Sequence, residues 1–274
     1  MSTYDDASLI LYPSGYKEDK IYSLKPTDGS GDLTFTRAST ATRVNAAGLI
    51  EGVRTNLLTY SEQFDNAAWT KSDATITANA TTSPDGTINA DKLIANTTSA
   101  THSIQQTFTP LSATSYTLST YAKAGEYNFI GLQIAFGGIN AYASFNLSTG
   151  VITLSGGGAT ATIQNAGNGW YRCLITATTI SGASNIINIR IENDGSLNNF
   201  VGNNVNGIYA YGAQLEQSPS VTEYIPTTTT AVSVGMLADV PRIDYTGGGF
   251  GKLLLESQRT NSLTYSEAFD NAIY

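Results

Sequence analysis

The sequence is poor in the residues that most often carry chemistry, and poor in charge. It holds one cysteine, Cys173, and one histidine, His102. A single cysteine excludes an intrachain disulfide. One Cys and one His argue against both a zinc site of the usual kind and a thiol–imidazole couple. Charged residues make up 13% of the chain, about half of the roughly 25% common in soluble globular proteins. Lys and Arg number 14 against 22 Asp and Glu, for a net charge of −8. Binding to phosphate backbones needs clustered cations that displace counterions. Here they are few and scattered, so neither nucleic acid nor an anionic membrane is an expected partner. No apolar run approaches the roughly 18 residues of a membrane helix. The opening MSTYDDASLILYPSGYKEDK has neither the basic start nor the small-residue cleavage site of a secretory signal. The expected route outside a cell is therefore release of assembled particles by lysis.

What fills the gap is Thr, Ser, Asn and 26 glycines, an uncharged polar surface that suits an extracellular or virion β-protein. Three zones follow one another. Up to about Val53 the pattern is irregular, with turn-forming KPTDGSGD and NAAGLIEG between short apolar stretches. From Arg54 to Thr227 the chain reads as successive strands. In SYTLSTYAKA, Tyr116, Leu118, Thr120 and Ala122 alternate with Ser115, Thr117, Ser119 and Tyr121, as a half-buried strand requires. HSIQQTF, YNFIGLQIAF, INAYASFNL, VITLS, WYRCLITATT, IINIRIEN and GIYAYGAQLE behave alike. Asn168-Gly169, Asn206-Gly207, Asp194-Gly195 and Asp85-Gly86 are dipeptides that supply the positive φ of tight β-turns. About ten short strands without long helical patterns predict an all-β antiparallel sandwich of jelly-roll type. Before it comes an irregular, extended N-terminal segment, and helix is confined to a turn or two near Ser61–Asn66. Alternation puts Trp170, Arg172 and Leu174 on one face and Tyr171, Cys173 and Ile175 on the other; Cys173 reads as a buried structural cysteine, and His102 as a surface or satisfied strand histidine.

RTNLLTYSEQFDNAAW (Arg54–Trp69) is nearly repeated as RTNSLTYSEAFDNAIY (Arg259–Tyr274). A separation so long marks a repeated domain, not a solenoid unit of about 20–50 residues. The expected organisation is a leader (1–53), a sandwich (54–227), a connector (228–253) and the start of a second, truncated module (254–274), in a natural protein that extends further. Phe64 and Trp69 read as core plugs, Leu57 and Leu58 as cover for an open end of the sheets, and Arg54 with Glu62 as a local ion pair.

NLLTYSEQFDNAAW resembles the opening of jelly-roll carbohydrate-binding modules. YTLSTYAKAG, GNGWYRCLITAT and IYAYGAQLEQSPSVTEYIPT are similar to later strands of such modules in phage fibre and spike proteins. LKPTDGSGDLTFTRASTATRVNAAGLIE is similar to a leader near the N-termini of phage structural proteins. The resemblance to a bacteriophage virion fibre or spike protein covers most of the chain. It implies attachment through residues 1–53 to capsid, portal or tail proteins. It further implies a homotrimer on the particle's exterior and possession of glycan-binding modules that often hold a structural calcium, here through loop carboxylates such as Asp85, Asp91 or Asp194.

Sugar binding needs an aromatic face for the apolar side of a pyranose and planar polar groups for its hydroxyls. The candidates are Tyr127, Phe129, Tyr142 and Trp170, with Asn128 and Gln133 as polar partners. Sandwich cores use Tyr and Trp as heavily, so each of these reads first as core or neutral surface. Catalysis has little support. Glycoside hydrolysis needs two carboxylates about 5–10 Å apart, and Glu126, Glu192 and Asp194 are the main acids between Asp91 and Glu216, with nothing in their spacing to pair them. Gly156–Gly158 and Gly247–Gly249 lack the lysine and strand–turn–helix setting of a phosphate loop. The expectation is a structural fibre or spike that presents β-sandwich modules for host-surface glycan attachment, with no catalytic or metal residue and no required cofactor. The alternatives are a polysaccharide-degrading tailspike and a purely structural capsid-decoration protein.

Overall fold

The computed structural model describes residues 3–17, 19–111, 113–136, 139–178 and 185–254. The repeated motif at Arg259–Tyr274, and with it nearly all of the expected second module, lies outside them. Two compact units are present, one of them Arg54–Val234 and the other drawn from the residues on either side of it.

The Arg54–Val234 unit is two six-stranded antiparallel sheets. In the first, the order is Val151–Gly156, Ile139–Asn146, Phe129–Phe136, Asn185–Glu192, His102–Thr107, Thr70–Ser72. In the second it is Thr160–Gly167, Trp170–Thr178, Ser115–Lys123, Gly207–Glu216, Ile88–Ala95, Ala74–Thr82. The chain crosses repeatedly from one sheet to the other, which is jelly-roll connectivity. Alternation along each strand sends one set of side chains between the sheets. Ile130, Leu132 and Ile134 meet Ile187, Ile189 and Ile191 there, and Leu118, Cys173, Ile175, Ile208 and Leu215 come from the opposite sheet. The turn at Asn168-Gly169, with φ of 53° and 80°, joins Thr160–Gly167 to Trp170–Thr178. Two left-handed residues in succession match the twist of a tight hairpin, and Gly169 takes its share without a Cβ penalty. Asn206-Gly207 does not act in this way. The left-handed residue in that loop is Asn204, φ 61°, and Gly207 instead lets its strand close onto Leu93, whose carbonyl would lie 2.0 Å from a Cβ there.

The opening motif closes this sandwich. Its Arg54–Asn56 strand pairs with Val232–Val234. Asn56, Leu58, Ser61, Phe64 and Trp69 are all buried. Phe64 and Trp69 pack edge to face at 5.1 Å, and the Trp69 indole donates to Tyr60 O at 2.9 Å. The predicted helix at Ser61–Asn66 is instead a chain of turns. Gln63 N, Asn66 N and Trp69 N each donate to the carbonyl three residues back, so successive tight turns replace the i to i−4 ladder of an α-helix. Arg54 does not meet Glu62. It lies 3.9 Å from Glu223, while Glu62 accepts from Tyr211 Oη at 3.0 Å. The buried positions Asn56, Leu58, Ser61 and Phe64 reappear unchanged as Asn261, Leu263, Ser266 and Phe269, whereas exposed Gln63 and Ala68 are replaced by Ala268 and Ile273. Buried Trp69 becomes Tyr274, while exposed Asp65 and Ala67 also recur, as Asp270 and Ala272.

The second unit is built from short pairs. Ile10–Lys17 pairs with Lys20–Lys25, and that strand with Leu33–Thr34. Arg43–Val44 pairs with Ile50–Glu51, and Ile243–Asp244 with Lys252–Leu253. The segment before residue 54 and the segment after 234 interlock. The Arg37 guanidinium donates to the carbonyls of Leu237 and Val240. Arg37 N donates to Asp239 Oδ1 at 2.7 Å, and Val44 N to Asp244 Oδ2 at 3.0 Å. Residues 237–244, within the expected connector, thus supply hydrogen-bond partners to the leader. Helix among the described residues is the single turn Thr3–Asp6.

Candidate functional site

The outer face of the first sheet, turned away from the core, carries an uncharged polar row. Ile187 and Ile189 point inward, so Asn188 points outward. The same alternation turns Gln133 out between Leu132 and Ile134, and Tyr142 out between Ala141 and Ala143. Register aligns them: Gln133 is directly opposite both Tyr142 and Asn188, and Asn188 is opposite Gln105. Asn188 Nδ2 donates to Gln133 Oε1 at 3.0 Å, and Gln133 Nε2 donates to Asn140 Oδ1. These links hold the amides in fixed orientations while the side chains remain half-buried. At the end of the row, Tyr142 lies over Gly156. A Cβ at that position would fall 2.5 Å from the phenol oxygen and 2.7 Å from Cζ, so only glycine lets the ring settle onto the neighbouring strand.

Of the sequence candidates, Gln133 and Tyr142 are brought together, and Phe129 shares their face. The Phe129 ring is packed under Gly195. Tyr127 belongs to the core rim, its ring edge-on to Phe200 at 5.3 Å. Asn128 is exposed, and its carbonyl accepts from Leu147 N at 2.7 Å. Trp170 lies on the other sheet, 1% exposed against Ala90 and Tyr211, with its indole donating to Thr82 O at 3.1 Å. No face of that ring is open to a sugar. Gln105 and Asn188 were not singled out from the sequence. Their signal was the outward phase of INIRIE and HSIQQT, but which outward residues share a row depends on strand pairing. His102 is fully buried, with Nδ1 at 2.6 Å from Asp73 O and Nε2 at 3.0 Å from Phe200 O, so both ring nitrogens are engaged structurally. Cys173 is buried, and desolvation pushes its thiol far above the ordinary range.

At this end of the sheet Arg190 is held by the covering backbone and Glu192 is shut away from water. Arg190 Nη2 donates to Leu197 O at 2.7 Å and to Thr101 Oγ1 at 3.2 Å. Glu192 is 2% exposed. A cleft of about 250 Å³ at the edge of the second sheet is lined by Glu62, Gln63, Asp65, Ala78, Asn79, Asn89 and Asp91. Asp91 there is buried and accepts from Phe64 N at 2.8 Å and Asn79 N at 2.9 Å. It anchors the opening motif to the sheet, and burial raises its pKa above the usual carboxylate range. The other carboxylates considered for calcium are similarly engaged. Asp85 accepts from Ser83, Thr87 and Tyr211, and Asp194 accepts from Ser196. Among the described residues, no three Asp, Glu, His or Cys side chains gather into a metal-holding group.

No protein-family model matches the sequence, and neither does any curated protein. Solved structures similar to this chain match it at low identity. The enzymatically active domain of tailspike protein 4 from bacteriophage CBA120 is similar over 58% of this chain and 21% of its own, at 16% identity and a TM-score of 0.36. The CBM22-1 and GH10 modules of Clostridium thermocellum xylanase 10B, complexed with xylohexaose, are similar over 63% of this chain and 29% of theirs, at 12% identity and a TM-score of 0.36. The mannan-recognising carbohydrate-binding module TmCBM27 is similar over 60% of this chain and 95% of its own, at 14% identity and a TM-score of 0.30. This chain spans less than a third of the tailspike and xylanase chains.

Proposed function

We propose that the protein is a structural fibre or spike of a bacteriophage particle whose sandwich binds neutral host-surface glycans on the outer face of the Phe129–Phe136 sheet. The observation that carries the glycan reading is the row Gln105–Asn188–Gln133–Tyr142 across four adjacent strands. Oriented amides offer both donors and acceptors to sugar hydroxyls, and the half-buried Tyr142 phenol ring beside them offers an aromatic surface. The lack of a free cation in this row suits uncharged sugars. The second unit supports the attachment reading with its exposed Leu9, Leu24, Leu33, Leu49, Ile50 and Phe250, apolar side chains suited to docking on other virion proteins or in a homotrimer. Its location on the particle exterior, with a role in attachment and not in catalysis, completes the reading.

A glycan array with the full chain tests it. Binding to neutral oligosaccharides is expected, weakened about tenfold or more by Tyr142→Ala or Asn188→Ala, since a stacking or bidentate contact is worth about 1–2 kcal/mol. Trp170→Phe, on the other sheet, should leave binding unchanged. No binding to any neutral glycan, or binding indifferent to Tyr142→Ala and Asn188→Ala, would refute the site.

A further inference from the structure

Glu192 ends the Asn185–Glu192 strand on the outer face, opposite Phe129. It is 2% exposed, and neither carboxyl oxygen makes a hydrogen bond of good geometry. Space for it comes from Gly131, where a Cβ would lie 2.0 Å from Glu192 Oε1 and 3.0 Å from Leu197 Cδ2. Its cover is the segment that follows. Leu197 sits over Gly131 with φ 59°, a backbone region leucine rarely adopts. A few polar contacts hold that segment down: Arg190 Nη2 to Leu197 O at 2.7 Å, Thr153 Oγ1 to Gly195 O at 3.1 Å, and Thr101 Oγ1 to Asn199 Oδ1 at 2.9 Å.

A carboxyl shut away from water, with only poorly aligned contacts to Ser144 and the Leu197 backbone, is favoured in its neutral form. The groups facing it do little to change that. Arg190 comes from its own strand and directs its donors elsewhere, while Asp194 from the covering segment repels a second negative charge. Phe129 and Gly131 from one neighbouring strand and Ser144 from the next carry no charge.

We propose that residues 193–199 form a flap gated by Glu192: closed over the neutral carboxyl, and lifted to admit water when that carboxyl ionises, which uncovers Phe129, Ser144 and Arg190 beside the Gln133–Tyr142 row. Burial, with Asp194 adding to it and Ser144 and Arg190 opposing, holds the Glu192 pKa up at about 7. In the lifted state the carboxyl is solvated and returns to about 4.3–4.5. Below that value both states are protonated and pH has no effect. Between it and pH 7 only the lifted state ionises, so the opening constant rises about tenfold per pH unit, by about 300-fold in all, and levels off above 7.

Hydrogen–deuterium exchange of the full chain, read by mass spectrometry from pH 5 to 8 and corrected for intrinsic rates, tests the flap without any glycan. Its outcome is therefore independent of the glycan reading. The expected result is a rise of about two orders of magnitude in exchange at residues 194–199, flat above pH 7. Glu192→Gln should keep the segment protected throughout. Exchange independent of pH in the wild type, or the same rise in Glu192→Gln, overturns the proposal. Should that variant not fold, carboxyl-carbon NMR of the wild type decides: a Glu192 midpoint at the ordinary glutamate value overturns it, and one near neutrality supports it.

Discussion

Asn56 is fully buried, and its amide meets four backbone groups. Nδ2 donates to Ala213 O at 3.0 Å and Ile225 O at 2.8 Å, while Oδ1 accepts from Leu58 N at 3.2 Å and Leu215 N at 3.1 Å. One side chain thus joins the opening motif to the Gly207–Glu216 strand and to the segment that leaves the sandwich. Asn56→Ala strands two carbonyls and two N–H groups in the interior. Each unsatisfied buried group costs about 1–3 kcal/mol. Allowing for partial relaxation, the loss should be about 3–6 kcal/mol, a large share of the roughly 5–15 kcal/mol that holds a domain folded. Urea unfolding followed by tryptophan fluorescence is the suitable assay, because Trp69 and Trp170 are the chain's two tryptophans and both are buried in this unit. Thr55→Ala is the control. Thr55 is half-buried with one side-chain bond, to Ser233 Oγ at 2.8 Å, and its loss should cost about 1 kcal/mol. If Asn56→Ala matched that control, the stapling role would be refuted.

Two further outcomes follow from burial and backbone geometry. Cys173 is completely buried, with its thiol pKa pushed far upward by desolvation. It should resist iodoacetamide at pH 8 in the folded chain and react readily in denaturant; rapid labelling of the native protein would contradict the packing. Gly169→Val places a β-branched residue at φ 80° and should lower sandwich stability by about 1–3 kcal/mol, visible in the same urea assay. An unchanged midpoint would show that the hairpin turn is not as described.

The strands were legible because their signal is local. Alternation with period two requires only neighbouring residues, and INIRIE, YTLSTYA and WYRCLIT carry it openly. The same pattern put Cys173 and Trp170 on opposite faces of their strand, and Phe64 and Trp69 of the opening motif read as core plugs. Local signals failed where a side chain's fate is set from far away. Trp170 is on an outward phase, yet that side of the second sheet is itself covered. Arg172 there donates to Thr222 O at 2.7 Å and stacks on Tyr121. Asn56 is buried by partners far along the chain, Ala213 O and Ile225 O.

By itself the sequence determined the all-β class, the strand positions, the turn chemistry at Asn168-Gly169 and the absence of a disulfide. Those depend on residue type and on spacing along the chain. Tertiary structure alone decided which strands are neighbours, and so decided everything that requires two of them. It set Gln105, Asn188, Gln133 and Tyr142 in one row, put Glu192 beneath Leu197 in the space Gly131 leaves, and clasped residues before 54 to residues after 234. Sheet pairing joins segments many residues apart, and no window of sequence contains both partners.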